Sequence, residues 1–289
     1  WGGDNVFAAT RRTATEHGLS VAEMAMLADV DRPEDIPVWE AHAAKDALEV
    51  PVAVVIVALN EEDSIAACVH SAREAASGDV DIVLVDGGST DETVPRAQAA
   101  GARVFTACPP RASQLNAGAS HACGDVLVFL HADSRLPAGY DQYVRYVSGC
   151  PGVSCGAFEL GIESGRPLVR LVEAVANWRS RRLQLPYGDQ GIFLTRTFFD
   201  AVDGFPQISI MEDFELVRRL RRRGRVMTCP APVRTSARRW ERLGVWRTTV
   251  RNWAVVAGYL AGIPPDRLAR FYRRLPAVDR KPSSVERSK

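Results

Sequence analysis

The chain has 289 residues, 46% of them hydrophobic, which is enough for one large globular domain or two small ones and too apolar for a disordered polymer. Its formal net charge of +1 gives no global field for nucleic acid, and no apolar run approaches the ~20 residues of a membrane-spanning helix. Six cysteines without a Cys-x-x-Cys pair point to reduced thiols in a cytoplasmic protein. Charge is uneven, with twelve arginines between Arg218 and Arg251, a patch suited to an anion or to a solvated helix face.

Residues 5–17 read as a helix, 19–27 as a weak strand, and 29–36 as a turn opening a helix with Pro33 in its first turn. From Val50 strand and helix alternate: a buried strand over 52–58, a helix over 61–76, a strand over 81–85 and a helix from Asp91. A strand over 103–106, a small-residue helix over 113–123 and a buried strand over 126–130 follow. This rhythm predicts an α/β fold with a mostly parallel, doubly wound sheet flanked by helices, and ligand-binding loops along one edge. Past residue 150 the pattern loosens to a helix over 167–183, a strand over 191–195 and a helix over 213–223. Trp246, Val250, Trp253, Ala257 and Leu260 then recur at helical spacing; core packing explains that stripe better than membrane docking. Residues from 276 onward are polar and read as a disordered tail.

Four loops fall at the predicted ligand edge. Ala58-Leu-Asn-Glu-Glu62 follows the first strand with an amide and two carboxylates. Asp86-Gly-Gly-Ser-Thr-Asp91 follows the second, its glycines allowing close backbone approach and its polar residues capping a helix whose N-terminus favours anions. Arg111, Gln114 and Asn116 stand at the start of the small-residue helix. His131-Ala132-Asp133 ends the buried strand over 126–130; two residues apart in extended chain, His131 and Asp133 point the same way and suit one divalent cation or one diphosphate. Downstream, Leu185-Pro-Tyr-Gly-Asp-Gln190 offers Tyr187, Asp189 and Gln190 for hydroxyl groups. Met211-Glu-Asp-Phe214 puts two carboxylates, Glu212 and Asp213, at a helix start, and Ser236-Ala-Arg-Arg-Trp240 supplies cations and an indole.

Taken in this order, the loops from Val52 to Tyr272 resemble the family 2 glycosyltransferases of the GT-A fold. The resemblance implies an inverting, metal-dependent transfer from a nucleotide-sugar, with Mn2+ or Mg2+, a UDP-sugar as the default donor, and a small-molecule or lipid acceptor. On that basis Val57, Ala58, Leu59, Glu61, Asp86, Gly87, Ser89, Arg111, Asn116, His131 and Ala132 are expected around the nucleotide. Asp133 matches the last acid of a D-x-D motif and becomes the expected metal ligand, joined by His131 or leaving His131 to a sugar hydroxyl. Asp213, in an E-D-x-x-L-x-x-R-L element, matches the catalytic base. Tyr187, Gly188, Asp189, Gln190, Glu212, Arg239 and Trp240 are expected on the acceptor side.

Two positions depart from the family pattern: His131 replaces an acid, and Gly87 stands where many members read the base with one, which leaves UDP, GDP and dTDP open. The motifs look most like a soluble bacterial branch linked to radical-SAM or arsenosugar pathways. Residues 1–47 resemble the tail of a nucleotidyltransferase-like transferase fused upstream, giving boundaries of 1–47, 50–275 and 276–289. Alternative readings are a nucleotidyltransferase, for which the first loop lacks the glycine-rich Arg/Lys element, and a nucleotide-binding module without turnover. The basic patch and the Trp246 stripe leave room for peripheral membrane contact.

Overall fold

A computed structural model describes residues 50–238, 240 and 244–274, all within the compact unit Ala44–Lys289. The expectations for residues 1–47, for Arg239 and for the tail from 276 fall outside the described residues.

Strand β1 (Val52–Ala58) lies parallel between β2 (Val80–Asp86) and β4 (Val126–His131), with β3 (Arg103–Thr106) parallel beyond β2. The apolar run of β1 follows from burial on both faces. Val52, Val54 and Ile56 share a core with helices α1 (Ile65–Glu74) and α2 (Thr93–Ala99); Ala53 and Val55 share another with α3 (Arg111–His121). Small residues let α3 sit low on the sheet, for a methyl group at Gly118 would overlap Val55.

Beyond β4 the sheet changes sense. Strand β7 (Ile192–Thr195) runs antiparallel to β4, β6 (Val153–Glu163) antiparallel to β7, β8 (Arg225–Ser236) parallel to β6, and β5 (Ser134–Arg135) antiparallel to β8. The order is β3-β2-β1-β4-β7-β6-β8-β5, a mixed and mostly parallel α/β sheet of GT-A type. Helices α4 (Tyr140–Gly149), α5 (Pro167–Leu183), α6 (Arg196–Ala201), α7 (Glu212–Arg221), α8 (Val245–Leu260) and α9 (Pro265–Arg274) complete the described fold. The two longest strands, β6 and β8, were not expected. Small residues thin the apolar pattern of β6, while Pro230 and Pro232 interrupt β8, whose register shifts against β6 between Phe158 and Glu159.

One expectation is overturned. The stripe on α8 is real but faces outward: Trp246 is 66% exposed, Val250 61%, Trp253 64% and Leu260 62%. Thr248 and Val255 are the buried residues of that helix, and Val255 packs with Met211, Phe214 and Leu268. Periodicity identified the helix but assigned the wrong face to the core. No helix among the described residues is long and apolar enough to cross a membrane.

Where β6 pairs with β7, Gly156 stands opposite Phe193, and a methyl group there would overlap the Phe193 ring. Gly156→Ala should therefore destabilise the protein by about 1–3 kcal/mol. A lowered denaturant midpoint with an unchanged slope is the expected result.

Candidate active site

The loops after β1 and β2 are bound to one another before any ligand arrives. Asn60, at φ +53°, accepts on its Oδ1 from Thr90 N at 2.9 Å, while Asn60 N donates to Ser89 Oγ at 2.9 Å. Glu61 N donates to Thr93 Oγ1 at 2.8 Å. Asp86, buried at the end of β2, accepts from the backbone N–H groups of Gly88 and Ser89, both at 3.0 Å. Its carboxylate thus shapes its own loop. The space beside Gly87 is taken by Gln114, whose Nε2 donates to Ala107 O and would lie 2.9 Å from an added Cβ.

Strand β4 ends at His131, opposite Val57 of β1, and a turn at Ala132–Asp133 follows. His131 and Asp133 are not two residues of one extended strand, as expected, but the turn still brings both onto one cavity of about 270 Å³. Ser236 N holds that turn by donating to Asp133 O at 3.1 Å. Arg238, which the sequence reading passed over in favour of Arg239, reaches back 177 positions to Glu61, with its Nη2 2.6 Å from Glu61 Oε2. Burial alone would lower the Arg238 pKa; the hydrogen bond and charge of Glu61, with Asp133 and Asp63 nearby, raise it instead. The signal available in sequence was the tandem Arg238-Arg239, which offers two cations at alternate orientations.

Helix α7 opens at the same cavity from Met211, a non-glycine residue at φ +71° whose side chain is buried. Asp213 Oδ2 accepts from Gly188 N at 2.6 Å. A Cβ at Gly188 would lie 2.9 Å from Asp213 Oδ2 and 3.0 Å from His131 Nε2, so this glycine is the point on which the end of β4 and the start of α7 converge. Glu212, 8% exposed, faces Arg111 with Oε1 3.8 Å from Nε. Burial, then the charge of Asp213, raise its pKa above the usual carboxylate range, and Arg111 opposes them.

The remaining expected residues divide. Tyr187, Asp189 and Trp240 line the cavity with Arg111, Glu212 and Asp213. Gln190 does not serve as an acceptor-facing group: it is fully buried, with Nε2 donating to Phe158 O at 2.9 Å and Oε1 accepting from Tyr187 N and Arg179. Asn116 is likewise committed elsewhere, exchanging two hydrogen bonds of 2.9 Å with the backbone of Phe205. Each amide holds a loop that the site needs. The Arg179 guanidinium lies 3.3 Å from the centre of the Tyr187 ring and fixes that side chain against α5.

Among the described residues no group of three or more His, Cys, Asp or Glu forms a metal cage. One carboxylate, with an imidazole beside it, fits a hard divalent cation that takes its other ligands from diphosphate oxygens and water. Asp133 and His131 meet that description.

Against this geometry, residues 53–195, from β1 to β7, match the model of glycosyl transferase family 2. The chain belongs to that family. The glucosyl-3-phosphoglycerate synthase of Mycolicibacterium paratuberculosis is 35% identical over 132 residues, covering 41% of this chain and 39% of the relative. That of Mycolicibacterium smegmatis is 36% identical over 92 residues, covering 28% and 30%. The chain thus spans two fifths or less of the length of these relatives. Among solved structures, the Mycobacterium tuberculosis glucosyl-3-phosphoglycerate synthase in complex with Mg2+ and UDP superposes with a TM-score of 0.52, at 21% identity over 78% of this chain and 84% of the other. A mannosyltransferase from Pyrobaculum calidifontis in complex with GDP-Man and Mn2+ gives 0.51, at 18% identity over 79% and 67%. These two likenesses establish the fold. The family 2 match ends at Thr195, so Asp213 and the cavity wall from α7 onward lie beyond it.

The raised pKa of Glu212 sets a sign for stability. A carboxyl that holds its proton more tightly folded than unfolded stabilises the protein while protonated, and that contribution is lost as pH rises through the folded value. Glu212→Gln should gain stability relative to wild type as pH rises beyond the ordinary glutamate range, by about 1.4 kcal/mol per tenfold difference in proton affinity. Thermal unfolding of both proteins across pH checks this; a gap independent of pH contradicts it.

Proposed function

We propose that this chain catalyses inverting, divalent-metal-dependent transfer of a sugar from a nucleotide-sugar to an acceptor hydroxyl. The observation that carries the reading is the convergence of His131, Asp133 and Asp213 on one cavity, with Gly188 wedged against His131 and Asp213. In this reading the nucleotide lies along the stitched loops after β1 and β2. Asp133, with His131 beside it, holds Mn2+ or Mg2+, which when bound neutralises charge on the departing diphosphate. Arg111 in the cavity wall and Arg238, held by Glu61 near Asp133, add positive charge. Asp213 accepts the acceptor proton at Oδ2, which the Gly188 N–H already orients. A single base beside the acceptor, rather than a nucleophile facing the sugar, corresponds to inversion at the anomeric carbon. UDP is the default carrier and GDP stays open: one relative named above is in complex with UDP and another with GDP-Man. Those relatives carry nothing that speaks for a radical-SAM or arsenosugar branch, and the reading stops at the family. Reduced cytoplasm suits the six free cysteines.

Asp213→Asn should lower transfer or donor hydrolysis by about 10²- to 10⁴-fold while nucleotide affinity stays within a few-fold of wild type. Equal rates for the two proteins would remove Asp213 from its role. Asp133→Ala should weaken UDP binding in the presence of Mn2+ and leave metal-free binding unchanged, as calorimetry with and without the cation would report. Wild-type-like binding of Mn2+ and UDP by that variant would move the metal elsewhere.

A further inference from the structure

Helices α5 and α8 lie against each other, and the surface between them is an apolar groove of about 340 Å³. Its far end is walled by Leu168, Leu171, Val175, Trp246 and Val250, all exposed. Its near end is different. There Tyr187, Asp189, Trp240 and Asn252 belong to the groove and to the reaction cavity alike, so the two spaces meet at the acceptor side of Asp213. A cavity lined by carboxylates and an arginine therefore opens into a mostly apolar groove. Two further polar groups wait along that path, for Trp240 Nε1 and Thr249 Oγ1 are buried and have no hydrogen-bond partner among the described residues.

We propose that the acceptor is an amphiphile: a hydroxyl-bearing head that enters the reaction cavity, joined to a long apolar chain that lies in the groove between α5 and α8. This rests on the glycosyltransferase reading above and gives its acceptor a chemical class. A polar cavity joined to an apolar groove matches the two ends of such a molecule. From Arg179 to Leu168 helix α5 runs roughly 16 Å, room for an extended chain beyond the head. A second copy of the protein seated on the groove would close the acceptor side of the cavity, and a flat bilayer surface would contact the rim without filling the space. The apolar side chains that a monomeric protein would ordinarily bury or avoid are here left exposed along a path that ends at the base.

Three of the protein's six tryptophans line the groove, so contact with a bromine-bearing chain is read directly as quenched fluorescence. The probe is 12-bromododecyl glucoside, titrated as monomer into the full 289-residue chain with UDP and Mn2+ present. Saturable quenching is expected, relieved by dodecyl glucoside and not by glucose. Val250→Asp and Val175→Asp, both at exposed positions, should each raise the half-saturating concentration at least tenfold with unfolding midpoints near wild type; either variant suffices if the other fails to fold. Absent quenching, or quenching unchanged in the folded variants, overturns the proposal. So does light scattering that shows a dimer abolished by these substitutions, or binding to phosphatidylcholine/phosphatidylglycerol vesicles without binding to the monomeric probe. Hydrolysis of a panel of UDP-, GDP- and dTDP-sugars by the wild type is measured in parallel: its absence for every donor sinks the transferase reading, whereas a silent probe with hydrolysis of any donor intact sinks only the amphiphile.

Discussion

Everything in this site depends on one backbone being bare. Gly188 lies where the end of β4 and the start of α7 come together, and its N–H is spent on Asp213 while its missing side chain leaves room for His131. Residues 131 and 213 are distant in sequence, and any larger residue at 188 would push them apart. The approach is supported on both sides. Gly191, at φ +58°, turns the chain into β7, and Met211 takes a left-handed conformation that a non-glycine residue adopts at a cost of about 1–3 kcal/mol. Packing of Met211 with Phe214, Val255 and Leu268 offsets that cost and aims the first turn of α7 at the cavity.

On the proposed reading, the donor and acceptor sides are built by different physics. On the donor side, reciprocal hydrogen bonds between the loops after β1 and β2 fix a polar surface in advance, so little ordering remains for a ligand to impose. On the acceptor side the wall is aromatic and aliphatic, with a cation resting on Tyr187. The match to family 2 ends at Thr195, where β7 closes the first of these regions. The family match covers the strands from β1 to β7, while the fold likeness to solved structures extends over 78% of the chain.

Much of the first half could be read in sequence because its strands are buried on both faces and leave no room for polar residues. Loops that directly follow such strands, including His131-Ala-Asp133, could then be placed at the ligand edge. The second half resisted for reasons visible in its residues. Gly156, Gly161 and Ser154 give β6 little apolar pattern, and two prolines conceal the alternation of β8. Gln190 and Asn116 were read as ligand contacts because their true partners, the backbones of Phe158 and Phe205, are far away in the chain. A period of 3.6 locates the apolar face of a helix but says nothing about what that face meets, and on α8 it meets solvent.

The sheet order has a consequence for how this chain can be divided. Strand β6 lies between β7 and β8, so a fragment ending at Thr195 would retain all eleven residues of β6 and lose the strand that covers one side of it. That exposed ladder of backbone donors and acceptors would invite other chains to pair with it. The stretch up to Thr195 is therefore no detachable module. Single substitutions after Thr195 leave that cover in place, whereas loss of β8 would turn its neighbour into a template for aggregation.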